Sequence, residues 1–187
     1  MDRRVQYTKK IICETFLNLL EEKDISSITV TEICKIADIN RATFYRYYLD
    51  VYDLLKQIEN DFILEIKNSS TMESLPKNSV YNFTMGILEI FISHKKLVKI
   101  LFNTNNNIYF LNEVLEVAYQ KCISIWEARM PGSKQSEVEY ALVFVFNGAL
   151  GVINYWIKND FLDSIEDIAS IITDSSKFGI RKYLGSE

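Results

Sequence analysis

Residues 29–48, TVTEICKIADINRATFYRYY, decide how the chain is read. Thr29 and Glu32 have the T-x-x-E spacing of a capping box, in which each side chain reaches the other's backbone N–H. Val30, Ile33, Cys34 and Ala37 follow at three- and four-residue steps, the buried stripe of a short helix. Asp38-Ile39-Asn40 is a tight turn, and Asn40 is a natural N-cap for a second helix over residues 41–47. That helix carries Arg41, Thr43, Tyr45, Arg46 and Tyr47 within two turns. Such a pair reads as a helix–turn–helix, with the first helix crossing the DNA backbone and the second lying in the major groove. Ile33, Ala37, Ile39 and Phe44 supply the small core that fixes the angle between them. Arg41 and Thr43 sit where base edges are reached, and arginine makes paired hydrogen bonds to guanine O6 and N7. The Tyr45 and Tyr47 hydroxyls reach phosphate oxygens.

Working outward, the same helical period continues in both directions. Ile11, Ile12, Phe16, Leu19 and Leu20 place a helix over 7–22, ended by KDISSI. Asp50 caps a helix over 51–68, with Leu54, Leu55, Ile58, Phe62 and Ile66 on one stripe. The polar run 68–79 is a loop. Further helices are expected over 80–93, 97–102, 109–129, 135–158 and 164–183, the last capped by Asp163 or Ser164. NTNNN (103–107) and Met130-Pro131-Gly132 break the pattern. The expected fold is all-α with about nine helices: a three-helix module over 1–48 and a helical body over 49–187.

The segment 28–55, ITVTEICKIADINRATFYRYYLDVYDLL, resembles the N-terminal domain of the TetR family of transcriptional regulators, and the likeness covers 7–67. The resemblance implies a role for each matching residue. Thr29 and Thr31 bond to phosphate; Arg41, Ala42 and Thr43 read bases; Tyr45 is the phosphate-binding tyrosine; Arg46 and Tyr47 touch backbone or bases. Tyr48 stands where the family has a core phenylalanine. Two positions depart from the pattern. Asp38 replaces a turn glycine, and so requires a left-handed or modified turn. Val51 replaces a lysine that contacts phosphate.

Composition narrows the alternatives. The 187 residues are 48% hydrophobic and 25% charged, a folded composition, with only two prolines and six glycines. The net charge of −4 divides unevenly: eight Lys/Arg against seven Asp/Glu in 1–48, and thirteen against eighteen in 49–187. Arg3, Arg4, Lys9, Lys10, Arg41 and Arg46 can share one basic face, and local charge drives phosphate binding despite an acidic total. No run of 18 apolar residues suggests a membrane span and no secretory signal precedes the first helix, so a cytoplasmic protein is expected. Cys13, Cys34 and Cys122 lie far apart on apolar helix faces and read as buried free thiols, with no metal-site spacing. His94 is the only histidine, and no nucleophile elbow, phosphate loop or dinucleotide fingerprint occurs, so neither an enzyme nor a cofactor is expected.

The body is aromatic. An all-helical body of this content packs solidly or encloses an apolar cavity. The resemblance implies an inducer cavity, for which Phe62, Phe83, Phe91, Phe102, Tyr119, Trp126 and Phe144 are candidate lining residues and a small hydrophobic or aromatic molecule the expected effector. It also implies a homodimer through the last two helices. In FNGALGVINYW, 146–156, Gly148, Ala149 and Gly151 allow close helix approach, and Ile165, Ile168 and Ile172 continue the apolar stripe on the final helix. A two-fold dimer would present two recognition helices to successive major grooves of double-stranded DNA. The expected function is a ligand-responsive repressor on a palindromic operator. The competing reading is a protein-interaction module or co-regulator with weak or no specific DNA binding, which Val51 and the acidic total would suit.

Overall fold

Amphipathic spacing becomes packing first in the N-terminal helices. The computed structural model describes residues 3–68, 80–103, 108–129 and 134–179, and within them nine α-helices. The chain divides into two compact units, 1–64 and 65–187.

In the first unit, α1 (Arg3–Glu22) buries Ile12, Thr15, Phe16 and Leu19 along one stripe. Ile12 and Phe16 are fully enclosed, each contributing about 1.5–3 kcal/mol of apolar transfer. A 3-10 turn, Ile25–Ser27, where the sequence suggested only an ending, carries the chain to α2 (Val30–Ile36). The expected capping box forms by half. Thr29 Oγ1 accepts from the Glu32 N–H at 3.2 Å, but the Glu32 carboxylate turns away to the Lys23 ammonium, 2.6 and 2.7 Å from its two oxygens. Lys23, the first residue past α1, outcompetes the backbone N–H because it brings a full opposite charge to both carboxylate oxygens.

Helix α3 (Arg41–Tyr45) is shorter than expected. After Tyr45 the Tyr47 N–H bonds back to Phe44 O at 2.9 Å, a tightened last turn that ends the α-helix. Helix α4 (Val51–Asn68) is capped by Asp50, whose Oδ1 accepts the N–H groups of Tyr52 and Asp53 at 2.8 Å each. The first turns of α4, placed beyond a 48/49 division by the sequence pattern, belong to the first compact unit, because Val51, Leu54, Ile58 and Phe62 are buried there.

The second unit holds the end of α4 together with α5 (Val80–Ser93), α6 (Lys95–Asn103), α7 (Ile108–Arg129), α8 (Gln135–Lys158) and α9 (Ile165–Gly179). Helix α5 is buried nearly all round, packing on α9 and α6, while α8 packs on α7, α9 and α6. Ser164 rather than Asp163 caps α9: its Oγ accepts from the Asp167 N–H at 3.1 Å and donates to the Asp167 carboxylate at 2.7 Å. The Asp163 carbonyl instead accepts the Trp156 indole N–H at 2.9 Å. Between α8 and α9 the chain turns through two left-handed residues, Asp160 and Phe161. Phe161 is buried edge-on against Trp156, and Asp160 is paired with Lys99.

By length and composition α8 is long and apolar enough to cross a membrane, although it contains no unbroken run of 18 apolar residues. The same composition arises when one face of a helix is core and the other is apolar and uncovered, which is how α8 is disposed here.

Candidate nucleic-acid interface

The turn between α2 and α3 sets the geometry. Asp38 takes φ 51°, the left-handed conformation that the missing glycine would have supplied. The chain then reverses, and Asn40 Oδ1 accepts both the Thr43 N–H at 2.7 Å and the Thr43 hydroxyl at 2.9 Å. Ile33 and Phe44 are fully buried and Ala37 nearly so, with Ile39 half-buried, so the inter-helix core forms much as its spacing suggested.

That packing turns one side of the pair outward. Thr29, Thr31, Arg41, Ala42, Tyr45 and Arg46 are all exposed, while Thr43 and Tyr47 are half-buried. Arg41 lies over the Tyr45 ring, 5.9 Å from its centroid, and the Tyr45 hydroxyl beside it raises the guanidinium pKa further. The Thr43 hydroxyl, committed to Asn40 as a donor, retains its lone pairs and its methyl group for an incoming base. Lys9 of α1 comes to 5.7 Å from the Tyr47 ring centroid, which joins one of the basic residues of α1 to this surface. Lys10 is paired instead with Glu14 at 3.8 Å.

Tyr48 is core, as its position suggested. Its hydroxyl lies 3.7 Å from Cys13 Sγ, and burial pushes the phenol well above its ordinary pKa, with the Cys13 thiol adding to the effect. Burial raises the Cys13 and Cys34 thiols too, the Cys13 rise being offset in part by the bond to Tyr48. Cys34 is buried and Cys13 half-buried; the side chain of Cys122 lies outside the described residues. Val51 is only 7% exposed and packs inward, whereas Tyr52 beside it stands 56% exposed. Tyr52 is not among the residues the motif singles out. The signal that could have found it is register, because 51, 54 and 58 form the inner stripe of α4 and 52 falls outside it.

The second unit holds a cavity of about 70 Å³ among α5, α7, α8 and α9. Of the expected lining residues, Phe83 and Phe91 face it. Tyr119 meets Phe146, which does line it, at a tilt, and Phe102 packs between Phe91 and Phe110 behind the wall. Phe62 is buried in the first unit, and Phe144 is 62% exposed on the outer side of α8, so neither lines the cavity. Helical period alone does not say which side of an aromatic helix faces in. The Trp126 side chain lies outside the described residues.

The small-residue segment of α8 divides as well. Gly148 and Gly151 are exposed, with open space where a Cβ would stand, whereas Ala149 lines the cavity. On α9, Ile168 and Ile172 are buried within the unit, Ile165 is half-buried, and the exposed apolar residues are Ile171 and Phe178.

A short helix with a basic, aromatic outer side and a closed apolar inner side defines a helix–turn–helix module of the kind transcriptional regulators carry. The family model described as "Transcriptional regulator C-terminal region" matches residues 78–177. The chain belongs to the TetR family of transcriptional regulators.

Individual relatives are more distant. The chain is 36% identical over 77 residues to the HTH-type transcriptional regulator YxbF of Bacillus subtilis, covering 41% of this chain and 20% of YxbF. It is 39% identical over 64 residues to DhaS of Lactococcus lactis, the dhaKLM operon transcriptional activator, covering 34% of each. The matched segments thus span a fifth and a third of these two relatives. The solved structure of DhaS superposes with a TM-score of 0.70 at 20% identity, over 95% of this chain and 98% of DhaS. The SmeT–triclosan complex superposes at 0.67 with 13% identity, over 96% and 93%. At such identities these two likenesses concern the fold.

Proposed function

We propose that the chain is a ligand-responsive repressor that binds a palindromic operator in double-stranded DNA as a homodimer. The observation that carries the DNA-binding part is the outward set Thr29, Thr31, Arg41, Ala42, Tyr45 and Arg46 on a module whose inner side is closed. Arg41, Ala42 and Thr43 read bases, Thr29, Thr31 and Tyr45 hold phosphate, and Arg46 and Tyr47 touch backbone or bases. Dimerisation is supported by the outer faces of α8 and α9. Tyr140, Phe144, Gly148, Gly151 and Tyr155 are exposed at helical steps along α8, and Ile171 and Phe178 on α9. The Phe144 ring leans on Gly179 at the end of α9, which brings the two stripes side by side. A surface this apolar calls for a partner.

The effector occupies the cavity of the second unit and is small and apolar. Triclosan in the SmeT complex is a precedent for a bound small molecule in a protein of this fold. Helix α4 contributes residues to both compact units and is the element through which occupancy reaches the DNA-binding helices. Coupling requires that the effector prefer one of two states. The proposed role is regulatory rather than catalytic, in the cytoplasm. Because DhaS is named an activator, the sign of regulation has a second reading, activation.

Fluorescence polarisation with the DNA upstream of the chain's own gene tests the DNA-binding part. Saturable, sequence-dependent binding with a steep salt slope is expected. Arg41→Ala should weaken specific binding by about 1–3 kcal/mol. Arg46→Ala should weaken it on every sequence. A folded dimer that binds no specific DNA at low salt would overturn the assignment in favour of a co-regulator. Transcription in vitro from the same promoter separates repression from activation.

A further inference from the structure

Among the described residues the cavity wall carries no ionisable side chain, and its polar groups are two hydroxyls, Thr84 on α5 and Ser176 on α9. Both are more than nine-tenths buried. Each hydroxyl hydrogen is already committed to its own helix: Thr84 Oγ1 donates to Val80 O at 2.9 Å, and Ser176 Oγ donates to Ile172 O at 2.6 Å. A hydroxyl has one hydrogen and two lone pairs, so what each oxygen still offers is acceptance. The remaining wall is hydrocarbon, including Phe83, Phe91, Phe146 and Ile153.

From this we infer that the cavity selects a small, neutral, apolar molecule bearing one hydrogen-bond donor, an alcohol or phenol, rejects anions, and holds acceptor-only molecules of the same shape less tightly. The inference rests on the effector reading above and adds the class of ligand. A carboxylate would lose its hydration with no cation or free N–H among the described lining residues to replace it. A ketone or ether oxygen would face two oxygens that have no hydrogen to give. An alcohol or phenol places its hydrogen on Thr84 or Ser176 and its hydrocarbon against the phenylalanines. The volume of about 70 Å³ is roughly half of a 150 Å³ apolar cavity that admits benzene, so a ring enters as wall side chains turn aside.

Benzyl alcohol and anisole are isomers that differ in where the oxygen sits and in whether it can donate. Titration of the full-length protein with each, followed by protein NMR, is expected to show benzyl alcohol binding about three- to tenfold more tightly, the worth of one net hydrogen bond. Benzoate is expected not to bind. The double variant T84V/S176A should abolish the preference while still binding anisole, which shows that its cavity is intact; T84S alone should keep the preference. Equal binding of the isomers, or a preference that survives in T84V/S176A, overturns the donor rule and leaves the effector site standing. Failure of both to bind overturns rule and site together. Binding with the stated preference but no change in DNA affinity supports the rule and removes the proposed coupling.

Discussion

Asp38 shows how one residue can hold a motif in place at a cost. A left-handed backbone brings Cβ too close to the neighbouring carbonyl for most L-residues, and Asp tolerates it better than most. Asp38→Gly should therefore raise stability by about 0.5–1 kcal/mol. The corresponding rise in Tm, read by calorimetry, is about 1–4 °C for a chain of this size; a fall in Tm would show that the Asp38 side chain contributes something the backbone argument misses. Tyr48 and Cys13 make a second residue-scale prediction. Both are acids raised by burial and neutral in the fold. Their contribution is complete below the ordinary thiol and phenol values, about 8.5 and 10, and drains away as pH climbs past them, because the unfolded chain ionises first. Between about pH 8 and 10.5 the wild-type Tm should fall more steeply than that of Tyr48→Phe, which keeps the buried ring and removes the phenol. Parallel profiles for the two would contradict it.

At the scale of elements, α3 and α4 show the difference between periodicity and packing. Helix α3 ends at Tyr45, and Arg46 and Tyr47 continue in the turn that follows, still on or near the outward surface. In α4 the first residue is an inward one. Val51 fills core space at a position where the family pattern places a phosphate-binding lysine. Val51→Lys is expected to lower stability by about 1–2 kcal/mol, since the lost apolar burial exceeds what a snorkelling lysine stem recovers. Chemical denaturation measures it, and an unchanged midpoint would mean that this corner of α4 is looser than described. The Lys23–Glu32 pair between the end of α1 and α2 works in the other direction. Its side chains are about a third exposed, so it positions α2 more than it stabilises it.

Across the whole molecule, the outer side of α8 and α9 is a face that none of the described residues covers. Tyr140, Phe144, Tyr155, Ile171 and Phe178 are between 50% and 78% exposed, an uncommon amount of aromatic and aliphatic surface for a chain that works alone. Gly151→Glu combined with Tyr155→Glu alters only exposed positions, so the expected outcome in sedimentation velocity is a folded monomer for the variant and a dimer for the wild type. DNA affinity should drop in the same variant, because one recognition helix without its twin engages half a site. A monomeric wild type would remove both the dimer and the palindrome from the proposal.

The helical class, the positions of most helix ends, the caps at Thr29, Asn40 and Asp50 and the recognition motif were all legible in the chain itself. They depend on contacts within four or so residues, and such contacts leave a period or a cap in the sequence. What was not legible was the direction each side faces. Phe144 and Phe91 look alike as residues, yet one is exposed and the other lines a cavity; Ile168 and Ile171 are three apart, yet one is core and the other surface. The Glu32 carboxylate likewise chose Lys23 over the cap predicted for it. Local chemistry determined the elements and the motif. Only tertiary packing decided which faces close on one another, which residues line the cavity and which apolar stripe is left uncovered, because those outcomes depend on partners far away in the chain.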